Sequence, residues 1–220
     1  MKTQDFYQSA LYTFGQDATN LRFNDDFFKA LDFAQRDFCT RRRWGYLRAS
    51  GTVTTVESVR TADLPDNFGM LYDVRGAIRL TSPDAYAGNE LTSITEEQYW
   101  QSDYDADEEG VPDKCWLFGT AISFTPIPDD EYEISIRYLK RPASISDAQS
   151  VMTVPDDYHE AIQHMVRRRL QANGYSSVIE IQISDEELNR LIGQFARDDI
   201  ARYGGLTVNL PPSRYTIETT

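Results

Sequence analysis

The chain has 220 residues, of which 40% are hydrophobic and 12% aromatic, and a formal net charge of −13. That supplies core for one large domain or two small ones and excludes a disordered chain of low hydrophobicity. The charge excludes nucleic-acid affinity driven by counterion release over the chain as a whole, while allowing a protein that lets DNA pass without holding it. The acids are concentrated: residues 51–150 hold seven basic and 19 acidic residues, against eight and six in 1–50 and seven and ten in 151–220. No run reaches the roughly 18 apolar residues of a membrane helix, and the opening MKTQDFYQSALYTFGQD lacks the apolar stretch and cleavage site of a secretion signal. The expectation is a soluble chain made in the cytoplasm, with no membrane partner.

Phe6, Ala10 and Leu11 predict a short helix over about residues 4–14. Phe27, Leu31, Ala34 and Phe38 recur at spacings of three and four and predict a helix over about 25–42. Asn24 is its cap, and Arg41, Arg42 and Arg43 lie at its end before Gly45. From Ser50 the pattern becomes short β-rich runs, GTVTTVESV, GAIRL, TAISFTPIP and EYEISIRYL, between clusters of Pro, Gly, Asn and Asp. In the last run Tyr132, Ile134, Ile136 and Tyr138 alternate with Glu131, Glu133, Ser135 and Arg137, a half-buried strand. Pro126, Pro128, Asp129 and Asp130 read as a hairpin turn, with Ile122 and Phe124 on the partner strand and Pro142 ending the pairing. SITEEQYWQSDYD holds a turn or two of helix capped by Thr95 or Ser93.

Helical spacing returns after Pro155, through Tyr158, Ile162, Met165, Val166 and Arg169 or Leu170, and stops at Asn173-Gly174. A last helix opens with a capping box, Ser184 and Glu187, carries the stripe Leu188, Leu191, Ile192, Phe195 and Ile200, and ends at Gly204-Gly205. Residues 205–220 read as an extended tail. The predicted fold is α+β. Helices of 1–49 and 150–204 form a bundle, 50–149 is an antiparallel β-rich insertion, and the tail completes the chain.

Chemistry-bearing motifs are sparse. In DYDADEEGVPDK, Asp103, Asp105 and Asp107 alternate as in a calcium loop. Glu108 and Lys114 stand where such a loop needs glycine and a bidentate acid, so a solvated acidic loop including Glu109 is expected. His159 and His164 are five apart, off the metal-pair spacing. Cys39 and Cys115 read as free buried thiols. No nucleophile elbow or phosphate loop is present, so no catalytic residue, metal or cofactor is assigned. Arg41–Arg43 and Arg167–Arg169 either complement helix dipoles and nearby acids or touch an acidic partner or passing DNA. A carbohydrate-binding module would need Tyr99, Trp100, Tyr104 and Trp116 exposed on one face.

The ordered set Leu64-Pro65-Asp66, Gly110 to Pro112, Pro126 to Asp129, Tyr132 to Tyr138 with Pro142, and Pro155 to Tyr158 resembles the tailed-bacteriophage head–tail adaptor, or head–tail connector, proteins. The resemblance covers about residues 60–172. It implies a structural, non-enzymatic protein of the virion neck, assembled in the host cytoplasm. Copies would form a ring, a dodecamer, bound to the portal protein and to a downstream tail or nozzle protein, with DNA passing through unbound. It further implies that tail residues Leu206, Val208, Leu210, Pro211, Pro212, Tyr215 and Ile217 meet the portal or a neighbouring subunit, and that the acidic loop faces the lumen or tail. A stopper or tail-completion protein is the neighbouring alternative.

Overall fold

The computed structural model describes residues 3–72, 76–101, 108–177 and 184–204. The fold is α+β, with helices toward both ends of the chain and strand-rich sheets between them. The chain divides into two compact units, one of residues 1–46 with 142–220 and one of residues 47–141.

In the first unit, helices α1 (Thr3–Phe14) and α2 (Leu21–Thr40) come from the front of the chain, and α4 (His159–Ala172) and α5 (Asp185–Tyr203) from the back. The α2 stripe Phe27, Leu31, Ala34 and Phe38 is buried throughout, as helical spacing requires of a core-facing row. Its start differs from expectation: the cap is Asn20, whose side-chain oxygen accepts the Phe23 N–H at 3.1 Å. Asn24 lies inside the first turn, where its amide donates to Ala18 O at 2.8 Å and its oxygen accepts the Tyr7 hydroxyl at 2.6 Å. Both asparagines are chemically fit to cap; the chain reversal after α1 decides between them.

The α2 end is also tighter than predicted. Thr40 is the last helical residue, and the Arg41 N–H returns to Asp37 O and Phe38 O. Gly45 ends no helix; it begins a 3₁₀ turn, Gly45–Leu47, in which a Cβ would lie 2.4 Å from the Tyr203 Cβ. Glycine is needed there for the close approach of α5. The α5 capping box of Ser184 and Glu187 forms as predicted, and Gly204 closes the helix in the left-handed conformation. Its inward row is Leu188, Ile192, Ala196 and Asp199, so the predicted stripe is rotated, with Leu191, Phe195 and Ile200 only half-buried. Asp199 takes its place because its Oδ2 accepts the Gly45 N–H at 2.6 Å.

Among its described residues the second unit has ten strands: β1 (Arg48–Thr54), β2 (Thr61–Asp63), β3 (Phe68–Leu71), β4 (Ile78–Ser82), β5 (Thr92–Ser93), β6 (Glu109–Gly110), β7 (Lys114–Phe118), β8 (Ala121–Thr125), β9 (Ile127–Pro128) and β10 (Glu133–Lys140). Helix α3 (Glu96–Gln101) lies between β5 and β6, capped by Thr95, whose hydroxyl accepts the Gln98 N–H at 3.1 Å. Strand β10 is central: it pairs antiparallel with β1 on one side and with β3 and β4 on the other. Tyr132, Ile134, Ile136 and Tyr138 are buried, and Glu131, Glu133 and Arg137 are exposed.

The predicted β8–β10 hairpin does not form. Strand β8 pairs antiparallel with β7 and β2 in a separate sheet, and the chain after it enters β9, which pairs parallel with β6. Pro126 and Pro128 lack the N–H groups that a returning ladder would need. The chain therefore passes to the other sheet before β10 begins. Ile122 and Phe124 still join Ile134, Ile136 and Ile78 in one core cluster, because the two sheets bury their apolar faces together. Besides the β6–β9 pair, β5 and β7 also run parallel, over two residues each.

Candidate functional site: surfaces for assembly

The arginine triplets divide by their neighbours. Arg41 pairs with Asp37 at 2.8 Å, one helical turn back, while Arg42 and Arg43 are exposed. On α4, Arg168 pairs with Asp185 at the start of α5, and the Arg169 guanidinium lies 3.7 Å from the centroid of the Phe33 ring. Arg167 borders a small groove with Phe6, Phe14 and Val166. Consecutive residues on a helix point about 100° apart, so each triplet is spread over several faces. The pairs with Asp37 and Asp185 both reach solvent, and such pairs contribute only a few tenths of a kcal/mol to about 1 kcal/mol.

Glu108 and Glu109 are exposed, with Glu108 O accepting the Ile127 N–H at 2.9 Å. Asp103, Asp105 and Asp107 lie outside the described residues, as do Tyr104 and tail positions Leu206, Val208, Leu210, Pro211, Pro212, Tyr215 and Ile217. Among the described residues no group of three or more His, Cys, Asp or Glu side chains is placed to hold a metal ion. No helix there is long and apolar enough to cross a membrane.

The aromatic residues near α3 do not make a sugar platform. Tyr99 and Trp116 stack at 4.3 Å and are both buried, and the Tyr99 hydroxyl bonds to Arg60. Trp100 alone of the three stands out, 72% exposed. The thiols are free and buried, with burial pushing Cys39 up to about 11 and Cys115 up to about 12, so neither forms the reactive thiolate near neutral pH. His159 and His164 are buried helix-packing residues. The His159 ring meets Phe6 edge-on at 5.1 Å and hydrogen-bonds Val154 O at 2.8 Å.

Large apolar side chains left in solvent were not singled out by periodicity. In the first unit Tyr12 is 79% and Leu21 80% exposed; in the second Phe118 is 63% exposed beside the half-covered Leu117, at the β7–β8 turn. A signal for the latter exists in KCWLFGTAISF: two large apolar residues directly before a turn glycine, where a solvated hairpin tip takes polar ones. Tyr12 likewise departs from the Phe6, Leu11 and Phe14 stripe of its helix. Exposed apolar groups of this size on each unit are suited to contact with other proteins.

Surfaces of this kind suit a protein that works by contact with other proteins. The family model for SU10 adaptor protein matches residues 1–218, and the chain belongs to that family of phage head–tail adaptors. The match takes in the last helix and most of the tail, beyond the region whose motifs carry the resemblance. No curated protein matches the chain. The protein is therefore a structural adaptor component of the bacteriophage virion.

Proposed function

We propose that copies of this chain form a ring, a dodecamer, between the portal protein and the tail, through which DNA passes without specific binding. The observation that carries the reading is the family match over residues 1–218, joined to exposed large apolar side chains on both units. A subunit with separate contact surfaces can meet a neighbour and still offer a face to the portal or to a downstream tail protein. Tail residues 206–217 supply the contact with the portal or neighbouring subunit, and the acids of 103–109 line the passage or face the tail. Like charge there repels DNA and lowers friction. Arg42 is the exposed cation of the first triplet offered to an acidic partner. The role is non-catalytic, exercised at the virion neck after assembly in the host cytoplasm.

The test is co-sedimentation of the purified protein with DNA-filled capsids that bear the portal but lack tails, beside capsids without a portal. Saturable binding that requires the portal is expected. Equal binding to both capsids, or none by the folded protein, would refute the placement.

A further inference from the structure

The second unit, residues 47–141, holds eighteen acidic residues against eight basic ones. Two of those eight, Arg79 on β4 and Arg137 on β10, nevertheless border one cavity of about 230 Å³. Ser135 lies opposite Arg79 in the β4–β10 register. Arg137, two residues further along, is therefore a diagonal neighbour of Arg79 on the same solvent face.

Backbone geometry leaves room for the first guanidinium. Gly76 sits at φ +69°, and a Cβ on it would fall 2.9 Å from the Arg79 Nη2. Glu90, whose backbone bridges that of Arg79, turns its carboxylate to accept the Gly76 N–H. Among the described residues neither Arg79 nor Arg137 forms an ion pair.

Two like charges on one face repel, and an anion seated between them turns that repulsion into attraction. A guanidinium fork matches the two oxygens of a carboxylate, and Ser135, which also lines the cavity, carries a hydroxyl donor. The volume is below the roughly 300–1,000 Å³ of cofactor and drug-sized pockets, so it suits one head group. The acidic surroundings oppose a polyphosphate, whereas one carboxylate brings a single charge and needs a single seat. We propose that this cavity is a carboxylate-binding site that docks an aspartate or glutamate side chain of a partner protein. The identity of the partner as a virion protein rests on the adaptor reading; the carboxylate chemistry does not.

The experiment follows the arginine Nε–Hε resonances of the full chain while sodium acetate replaces chloride at constant ionic strength. Arg79 and Arg137 are expected to shift together and to saturate at a concentration at least about tenfold below any effect on the other arginines. Arg137→Gln should abolish the saturable response of Arg79, and Arg137→Lys should restore part of it. A uniform response of all arginines, or an unchanged Arg79 response in Arg137→Gln, would overturn the site. Preference for inorganic phosphate over acetate by more than about tenfold, or displacement of acetate by duplex DNA, would assign the cavity to phosphate and overturn the partner carboxylate.

In a second arm, the double variant R79Q/R137Q is co-sedimented with tailless, portal-bearing capsids. At least a tenfold loss of joining relative to wild type supports docking, and equal joining overturns it. Failure of the wild type itself to join would count against the adaptor reading, while the acetate titration would still decide the site.

Discussion

Replacing Ile136 with alanine tests the assignment of β10 as the strand on which the second unit is organised. Ile136 is 0% exposed and sits between Gly51 of β1 and Ile78 of β4. The substitution removes three buried carbons, about 2.4 kcal/mol at roughly 0.8 kcal/mol each, and the residual cavity raises the loss to about 3–4 kcal/mol. Because the chain has two units, the loss should be read locally, by native-state hydrogen exchange of the Ile134, Ile136 and Tyr138 amides. A loss of that size accelerates their exchange by about two to three orders of magnitude wherever exchange requires opening of the whole unit. The exposed neighbour Glu133, replaced by alanine, should change it by less than about threefold. An acceleration below about fivefold for Ile136→Ala, or one equal to that of Glu133→Ala, would refute the central placement of this strand.

Four further outcomes are expected. Asn20→Ala should lower stability of the helical unit by about 1 kcal/mol in urea unfolding through loss of the cap on Phe23 N; no loss would return the cap to Asn24. Asp199→Ala leaves the Gly45 N–H without its acceptor and should cost about 1–3 kcal/mol, whereas Asp199→Asn keeps an acceptor oxygen and should cost less; equal losses would show that the bond contributes little. Burial, with the Arg167 and Arg168 charges adding at His164, holds both imidazoles below their ordinary 6.5. The unfolded chain then takes up protons that the folded chain does not, so stability is full above about pH 6.5 and falls as pH drops below it. Thermal melts at pH 7.5 and 5.5 should show a smaller drop for His164→Gln than for wild type, and identical drops would contradict the account. Deletion of residues 206–220 should leave a folded subunit that no longer joins portal-bearing capsids; normal joining would place docking elsewhere.

Local signals account for much of what was legible in advance. The α2 stripe, the Ser184–Glu187 capping box, the Thr95 cap and the alternation of β10 each depend on residues within a few positions of one another. Hydrogen-bond reach and side-chain periodicity set those outcomes before any tertiary contact forms. The family motifs were legible for a related reason: turn prolines and acids recur at fixed places between apolar runs.

What escaped the sequence depends on partners far along the chain. Two apolar runs separated by a turn look the same whether they pair with each other or part into facing sheets, so Ile122 and Phe124 could be recognised as core without their strand partner being known. Asp199 reads as a solvated acid until α5 meets Gly45, 154 positions earlier. Arg79 and Arg137 read as ordinary outward residues of two strands, since nothing local records that β4 lies beside β10. The sequence by itself determined which segments are helix and which are strand, the buried faces of α2 and β10, and the acidic, aromatic composition of the chain. Tertiary structure alone decided strand pairing, the choice between Asn20 and Asn24, and the convergence of two arginines on one cavity, because those outcomes are set by contacts between distant segments.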